Sequence, residues 1–215
     1  MVRASSEAVV TRRPDPFLMA LESLKARVES GAFAPGAAIV IIDEAKRLGL
    51  SPTPIREALA WLSGYGLIER APMGGYLMRR LDPARVRDEM SFRLLCLRIG
   101  LNGAGQVHGL GPGTATGGSH QQALHDQMVR AVRGTGNGAL VEAYDRVSSL
   151  LAQLAVAEQR LFQDLEAEAQ AIVTLFRAPA GSGLPEALTA YHERRIDAAA
   201  LLVVEAEAGR SAPGG

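Results

Sequence analysis

The chain has one cysteine, two lysines and no net charge. The lone thiol, Cys96, excludes an internal disulfide framework and a cysteine-built metal site. Its neighbours in FRLLCLRIGL are apolar, so it reads as a buried, inert group. With 23 basic residues against 23 acidic ones, no overall charge draws the molecule onto a polyanion. No apolar run approaches the roughly 20 residues that a membrane-spanning helix needs. The first residues carry Arg3, Arg12 and Arg13 without an apolar core, so they do not read as a secretory signal. Strand signals are missing beyond residue 80, and there is no internal repeat. The expectation is a cytoplasmic protein with no membrane partner.

What is present is uneven. Residues 1–80 hold 11 Lys and Arg against 8 Asp and Glu, and the remainder 12 against 15. A mildly basic front joined to a mildly acidic back fits a DNA-facing module attached to a second unit. At 215 residues the chain is long enough for two small domains with their own cores. Four segments are expected: a flexible N-terminus at 1–14, a first domain at 15–80, a helical domain at 81–206 and a flexible tail at 207–215.

Helical periodicity places a helix on Phe17, Leu21, Leu24 and Val28, ended by SGAFAPG. A second short helix is expected over Ile39–Leu48, closed by Gly49, although IVII is locally strand-like. A third runs from about Thr53 to Ser63 and buries Ile55, Ala58, Leu59 and Leu62. Because Pro54 disfavours helical geometry at the residue before it, Thr53 reads as its N-cap and Pro54 as its first helical residue. Strands at about Leu67–Arg70 and Tyr76–Arg79 flank APMGG. Three helices and a hairpin in that order make a winged helix-turn-helix. After Asp82 as N-cap and Pro83 as first residue, helices are expected at about 83–101, 119–133, 138–177 with a break near 160, and 184–206. The glycine-rich run 102–118, with His108, and the turn 179–183 interrupt them. The fold class is therefore mainly α: an N-terminal winged helix-turn-helix with a small hairpin wing, then an all-α bundle.

SGAFAPG, DEAKRLGLSPTPIREAL and GLIERAPMGGYLM, in that order and spacing over residues 20–80, resemble the DNA-binding domain of the GntR family of bacterial transcription regulators. The family pattern is S-G-x-[LF]-x-P-G, then L-A-x-x-L-G-V-S-R-T-P-V-R-E-A-L, then G-L-[VI] and P-x-R-G-x-x-V. The resemblance implies DNA contacts from Ser51, Thr53, Pro54, Arg56, Gly74 and Gly75. The physics agrees. A helix N-terminus attracts phosphate, Arg56 one turn in can reach a guanine edge, and glycines let a wing backbone approach the duplex. Lys46, Arg47, Arg79 and Arg80 would add phosphate contacts. Each residue has a plainer role as well: a cap at 51–54, a pair of Arg56 with Glu57 or Glu69, an ordinary turn at Gly74-Gly75. The chain departs from the pattern twice, with Pro52 and Gly74 where the family has arginines that contact DNA. A modest affinity or an altered operator follows.

The helical domain resembles the FCD-type effector domain of the FadR-like branch, which binds organic acids, often through a metal held by one Asp and three His. HQQALHD sets His125 on the first histidine and Gln121 on the aspartate. EAEAQAIV sets Ala169 where a histidine belongs, and His192 matches the last one. At most His125 and His192 remain as divalent-metal ligands, below the usual three. The resemblance implies an effector pocket from Arg93, Gln121, His125, Asn137 and His192, with Arg93 holding a carboxylate; a pair of Arg93 with Glu89 is the plainer alternative. The functional expectation is a homodimeric transcription regulator, a repressor by family habit, that binds a palindromic double-stranded DNA operator and is modulated by a small carboxylate-like effector. The alternatives are a DNA binder with a non-functional sensor, a metal-dependent enzyme built on His125 and His192, and a winged-helix protein-interaction module. No enzymatic activity is expected.

Overall fold

A computed structural model describes residues 15–103, 119–179 and 181–211 of the chain. The expectations for residues 1–14, for most of the glycine-rich run including His108, and for 212–215 lie outside the described residues.

Helix α1 (Pro16–Glu29) starts on Asp15, whose carboxylate accepts from the Phe17 amide at 2.9 Å. It buries Ala20, Leu24 and Val28 at the 4-residue spacing of one helix face. Helix α2 (Ile41–Leu48) begins two residues later than its sequence suggests. The reason is tertiary. The Ile39 amide donates to the Tyr76 carbonyl at 2.9 Å and the Met78 amide to the Ala37 carbonyl at 2.8 Å. The strand-like IVII thus begins by pairing with the wing. The wing itself is β1 (Ile68–Arg70) antiparallel to β2 (Tyr76–Met78), in the register Ile68–Met78, Glu69–Leu77 and Arg70–Tyr76. Ala38 forms a further bridge with Leu77, so the hairpin is anchored to the segment before α2.

Helix α3 (Pro52–Tyr65) corrects the expected start. Ser51, not Thr53, is the N-cap, with extended backbone at ψ 161° that suits the residue before a proline. Pro52 takes the first helical position and Pro54 the third. Neither position has an intrahelical acceptor for an amide hydrogen, so two prolines fit within one turn at no hydrogen-bond cost. The helix ends at Gly66, whose φ of 84° lies in the left-handed region. Around α1, α3 and the wing lies the first core, built on Leu24, Ile55, Leu59, Leu62, Leu67 and Met78.

Helix α4 (Pro83–Gly103) opens as expected on Asp82, which accepts from the Ala84 amide at 3.0 Å. Helices α5 (His120–Arg133), α6 (Gly138–Leu151), α7 (Ala155–Leu161) and α8 (Leu165–Arg177) follow. In the expected 138–177 stretch the break foreseen near 160 falls at the extended backbone of Phe162, and a 3₁₀ turn at Ala152–Leu154 adds a second. The expected 184–206 helix is two helices, α9 (Leu184–Asp197) and α10 (Ala199–Ser211). Their junction at Ala198 lets α9 bury Leu188, His192 and Arg195 while α10 turns Ala199, Leu202 and Val203 into another core. The helical half has two cores: one on Cys96, Leu97, Leu124, Tyr144 and Ile172, the other on Val86, Met90, Leu154 and Leu202. Cys96 is buried, as its neighbours imply.

The two halves are packed together. Leu150 of α6 enters the first core. Arg79, at the end of the wing, makes a two-pronged ion pair with Glu89 of α4, Nη1 to Oε1 at 2.9 Å and Nη2 to Oε2 at 3.2 Å.

Candidate nucleic-acid interface and effector cavity

Burial of Pro54, Ile55, Ala58, Leu59 and Leu62 leaves the other side of α3 to solvent. Thr53, Arg56, Glu57, Ala60 and Trp61 are exposed there, at the three- and four-residue steps of one helical face. Ser51 is exposed beside them and its hydroxyl makes no capping bond. Arg56 pairs with neither Glu57 nor Glu69 and has no ion pair among the described residues. Pro54, placed among the DNA-contacting residues by the resemblance, instead faces the core. The two prolines also strip the helix start of amide hydrogens. Thr53 retains the free-standing donor of the first turn, so a phosphate here meets one amide and two hydroxyls rather than a full crown of N–H groups.

The wing tip is open. The Gly74 amide donates to the Ala71 carbonyl at 2.9 Å and the Ala71 amide to the Gly75 carbonyl at 3.1 Å, closing the turn. Gly74 and Gly75 have φ of 95° and 85°, and a Cβ at either would meet nothing within 4 Å. Their requirement is conformational, not steric. Between them and Pro72 stands Met73, 99% exposed. Sequence reasoning passed over it, because a methionine in a hairpin carries no charge or motif signal.

The supporting cations divide. Lys46, Arg70 and Arg80 are exposed and have no ion pair among the described residues. Arg79 cannot act as expected on a phosphate, since it is 2% exposed and held by Glu89. Arg47 is committed to Glu44 at 2.8 Å and to the Ser23 hydroxyl at 2.9 Å, while Arg27 pairs with the same buried Glu44.

In the helical half, α4 presents Arg93. Its Nε donates to His192 Nε2 at 3.2 Å, and His192 Nδ1 lies 2.7 Å from the Leu188 carbonyl. Since a carbonyl only accepts, Nδ1 carries the hydrogen and Nε2 offers its lone pair to Arg93. Burial first, and the Arg93 charge second, hold the His192 imidazole well below its ordinary pKa and therefore neutral. The alternative pair of Arg93 with Glu89 does not form, because Glu89 is taken by Arg79 and Arg85. Arg93 Nη2 is buried and has no hydrogen-bond partner.

Arg93, Gln121, His125 and Ser148 line a cavity of about 880 Å³. Two expected pocket residues lie elsewhere. His192 stands behind Arg93 as its acceptor, and Asn137 caps α6 by accepting from the Leu140 amide at 3.1 Å. A second arginine on the wall, Arg195, is 1% exposed yet satisfied. It donates to Glu158 at 2.8 Å, to Glu168 at 2.9 Å and to the Tyr191 carbonyl at 2.9 Å, with its guanidinium 3.4 Å from the Tyr191 ring centre. Neither the Arg195 network nor the role of Glu168 within it is visible in the one-dimensional pattern.

A divalent metal does not fit. Both nitrogens of His192 are engaged, one of them by a cation that stands where a metal would have to sit. Among the described residues no three His, Cys, Asp or Glu groups converge. The metal-enzyme alternative loses His192, one of its two proposed ligands, for the same reason.

Residues 18–77 match the family model for bacterial regulatory proteins, gntR family. The chain is 39% identical over 83 residues to an uncharacterized HTH-type transcriptional regulator in an unstable DNA locus of Streptomyces ambofaciens, covering 39% of this chain and 34% of that one. It is 32% identical over 69 residues to an uncharacterized HTH-type transcriptional regulator in the TAR-I ttuE-ttuC' intergenic region of Agrobacterium vitis, covering 32% and 40%. The match thus spans less than half the length of either relative. Among solved structures, E. coli McbR/YncC superposes with a TM-score of 0.65 at 16% identity, covering 86% of this chain and 97% of its own. A GntR transcriptional regulator from Rhodococcus sp. RHA1 superposes with a TM-score of 0.65 at 17% identity, covering 87% and 97%. At that identity the likeness concerns the fold. It extends through the helical half as well as the winged domain. No helix among the described residues is long and apolar enough to cross a membrane.

Proposed function

We propose, from a chain that belongs through residues 18–77 to the GntR family of DNA-binding transcription regulators, that it is a repressor that binds a palindromic operator as a homodimer and responds to a small organic carboxylate. The observation that carries the DNA reading is the open face of α3. Arg56 stands exposed and unpaired one turn into the helix, beside an uncovered wing tip, and the helical half covers neither. That is the surface a major groove and its flanking backbone require. Two copies related by a twofold would place two such helices one turn of duplex apart. Phe92, Leu95 and Ile99, exposed along one side of α4, supply an apolar stripe that a second copy would cover. The effector reading rests on Arg93 Nη2, a buried donor without a partner in a cavity of ligand size. The operator is obtained by selection from random duplexes with the intact protein. Arg56→Ala then weakens binding by about 1–3 kcal/mol, most at one base position. Equal binding by wild type and variant at matched salt overturns the assignment of Arg56.

A further inference from the structure

The cavity that holds Arg93 is not walled by the helical half alone. Lys25 and Glu29 of α1, and Tyr65, the last residue of α3, form part of its lining. All three belong to the DNA-binding half. Tyr65 is tied to its surroundings on two sides. Trp61, one turn earlier, stacks on it with ring centres 4.6 Å apart and planes 17° apart. Arg146 of α6 stands with its guanidinium carbon 5.8 Å from the Tyr65 ring centre. A Cβ on the next residue, Gly66, would come within 3.0 Å of the same guanidinium. The end of the recognition helix is therefore seated on the helical half at the edge of the cavity.

Two physical points give this arrangement a consequence. A ligand shifts a conformational equilibrium only through contacts that differ between the two states. A short acid held at Arg93 touches one domain and cannot sense where the other sits. A ligand that also touches Tyr65 and Lys25 loses those contacts when the DNA-binding half moves. Second, the cavity volume of about 880 Å³ lies near the top of the range for small-molecule sites, about 300–1,000 Å³. A three- or four-carbon acid would leave the Tyr65 end unfilled.

We infer that the cavity is a site shared by the two domains: its ligand is an elongated organic anion with one carboxylate at Arg93 and its far end against Tyr65 and Lys25, and it is this reach, not occupancy at Arg93, that fixes the orientation of the recognition helix. The inference rests on the effector reading above. Lys25 is the cation that receives a polar or anionic far end. Its present partner is Glu29, one helical turn away at 3.5 Å, a half-buried pair at long range that a ligand anion can replace.

The protein carries its own reporter, because Trp61 is its one tryptophan and stacks on Tyr65. Full-length protein is titrated with straight-chain α,ω-dicarboxylates from malonate to sebacate. Affinity is read by calorimetry, Trp61 emission by fluorescence, and binding to a selected operator duplex by anisotropy. Long and short acids both bind and both lose affinity in Arg93→Gln. Only the long ones shift Trp61 emission and change operator affinity, by about fivefold or more. In Tyr65→Leu, and independently in the variant Lys25→Ala at a half-buried position, long acids still bind but no longer change operator affinity. If long and short acids that bind through Arg93 alter operator affinity alike, or if both variants keep the full response, the shared site is overturned while the effector reading stands. If no acid binds in an Arg93-dependent way, the effector reading falls and this inference with it.

Discussion

Removing Glu89 tests how the DNA-binding half is fastened to the helical half. Arg79 ends the wing and is 2% exposed, and its two Nη groups are both spent on the Glu89 carboxylate. Its Nε has no partner. Without Glu89 the guanidinium is left buried and without an ion-pair partner among the described residues. Breaking a buried pair from one side costs about 3–5 kcal/mol. The Glu89 side chain is 11% accessible, so water entering the gap offsets part of this, and we expect about 3 kcal/mol for Glu89→Ala. The opposite deletion is milder. In Arg79→Met the carboxylate keeps Arg85, whose Nε lies 3.2 Å away at the surface, and the loss is about 1–2 kcal/mol. Against a typical total of about 5–15 kcal/mol, the first loss is large. Urea unfolding by circular dichroism measures all of it through the midpoint and slope. The double variant Arg79→Met/Glu89→Leu should recover most of the stability lost in Glu89→Ala, because no charge is left buried. The reasoning fails if Glu89→Ala stays within about 1 kcal/mol of wild type, or if Arg79→Met is the more damaging of the two. A second arm uses DNA. Arg79→Met should leave the salt dependence of operator binding unchanged, whereas Arg80→Ala should lower its slope by about 1.

Three further outcomes follow from local geometry. Gly100→Ala adds helix propensity worth about 1 kcal/mol, yet its Cβ would lie 3.1 Å from the Ala131 carbonyl oxygen and 3.2 Å from Val132 Cα. Backbone of α5 cannot step aside, so the net change is a loss of about 1 kcal/mol in chemical denaturation; a gain would show that α4 and α5 separate freely. His192 is buried against Leu188, with Arg93 of α4 and Arg195 and Arg98 opposing its charge, so its folded pKa is depressed. Below about pH 6.5 the unfolded chain binds a proton that the folded chain refuses, and stability falls by up to about 1.4 kcal/mol per pH unit towards the folded pKa. The His192→Gln variant should show a flatter decline of Tm between pH 6.5 and 5.5, and an identical decline would remove His192 as its source. At the wing tip, Met73→Arg should strengthen operator binding and raise the salt slope by about 1, since it restores a cation to a tip that has none; an unchanged slope would place the tip away from the backbone.

Much was legible in one dimension, because the winged domain is built from local signals. SGAFAPG, the buried stripe on Ile55, Ala58, Leu59 and Leu62, and the glycines of the hairpin each specify conformation within a few residues. Asp82-Pro83 did the same for α4, and exposed Arg56 followed from helical spacing alone. The errors arose where a distant segment claimed a backbone or side chain. The start of α2 moved because β2 took the amide of Ile39. Arg79 looked free because Glu89 is brought to it only by folding, and the same capture of Glu89 removes the plainer alternative of an Arg93–Glu89 pair. The sequence by itself determined a winged helix-turn-helix ahead of an all-α bundle, since periodicity, caps and turn residues act over short range. Only the tertiary structure decided which arginines are spent and which are open, and that Tyr65 joins Arg93 around one cavity, because ion pairing and shared walls depend on which side chains the chain's return path brings within reach.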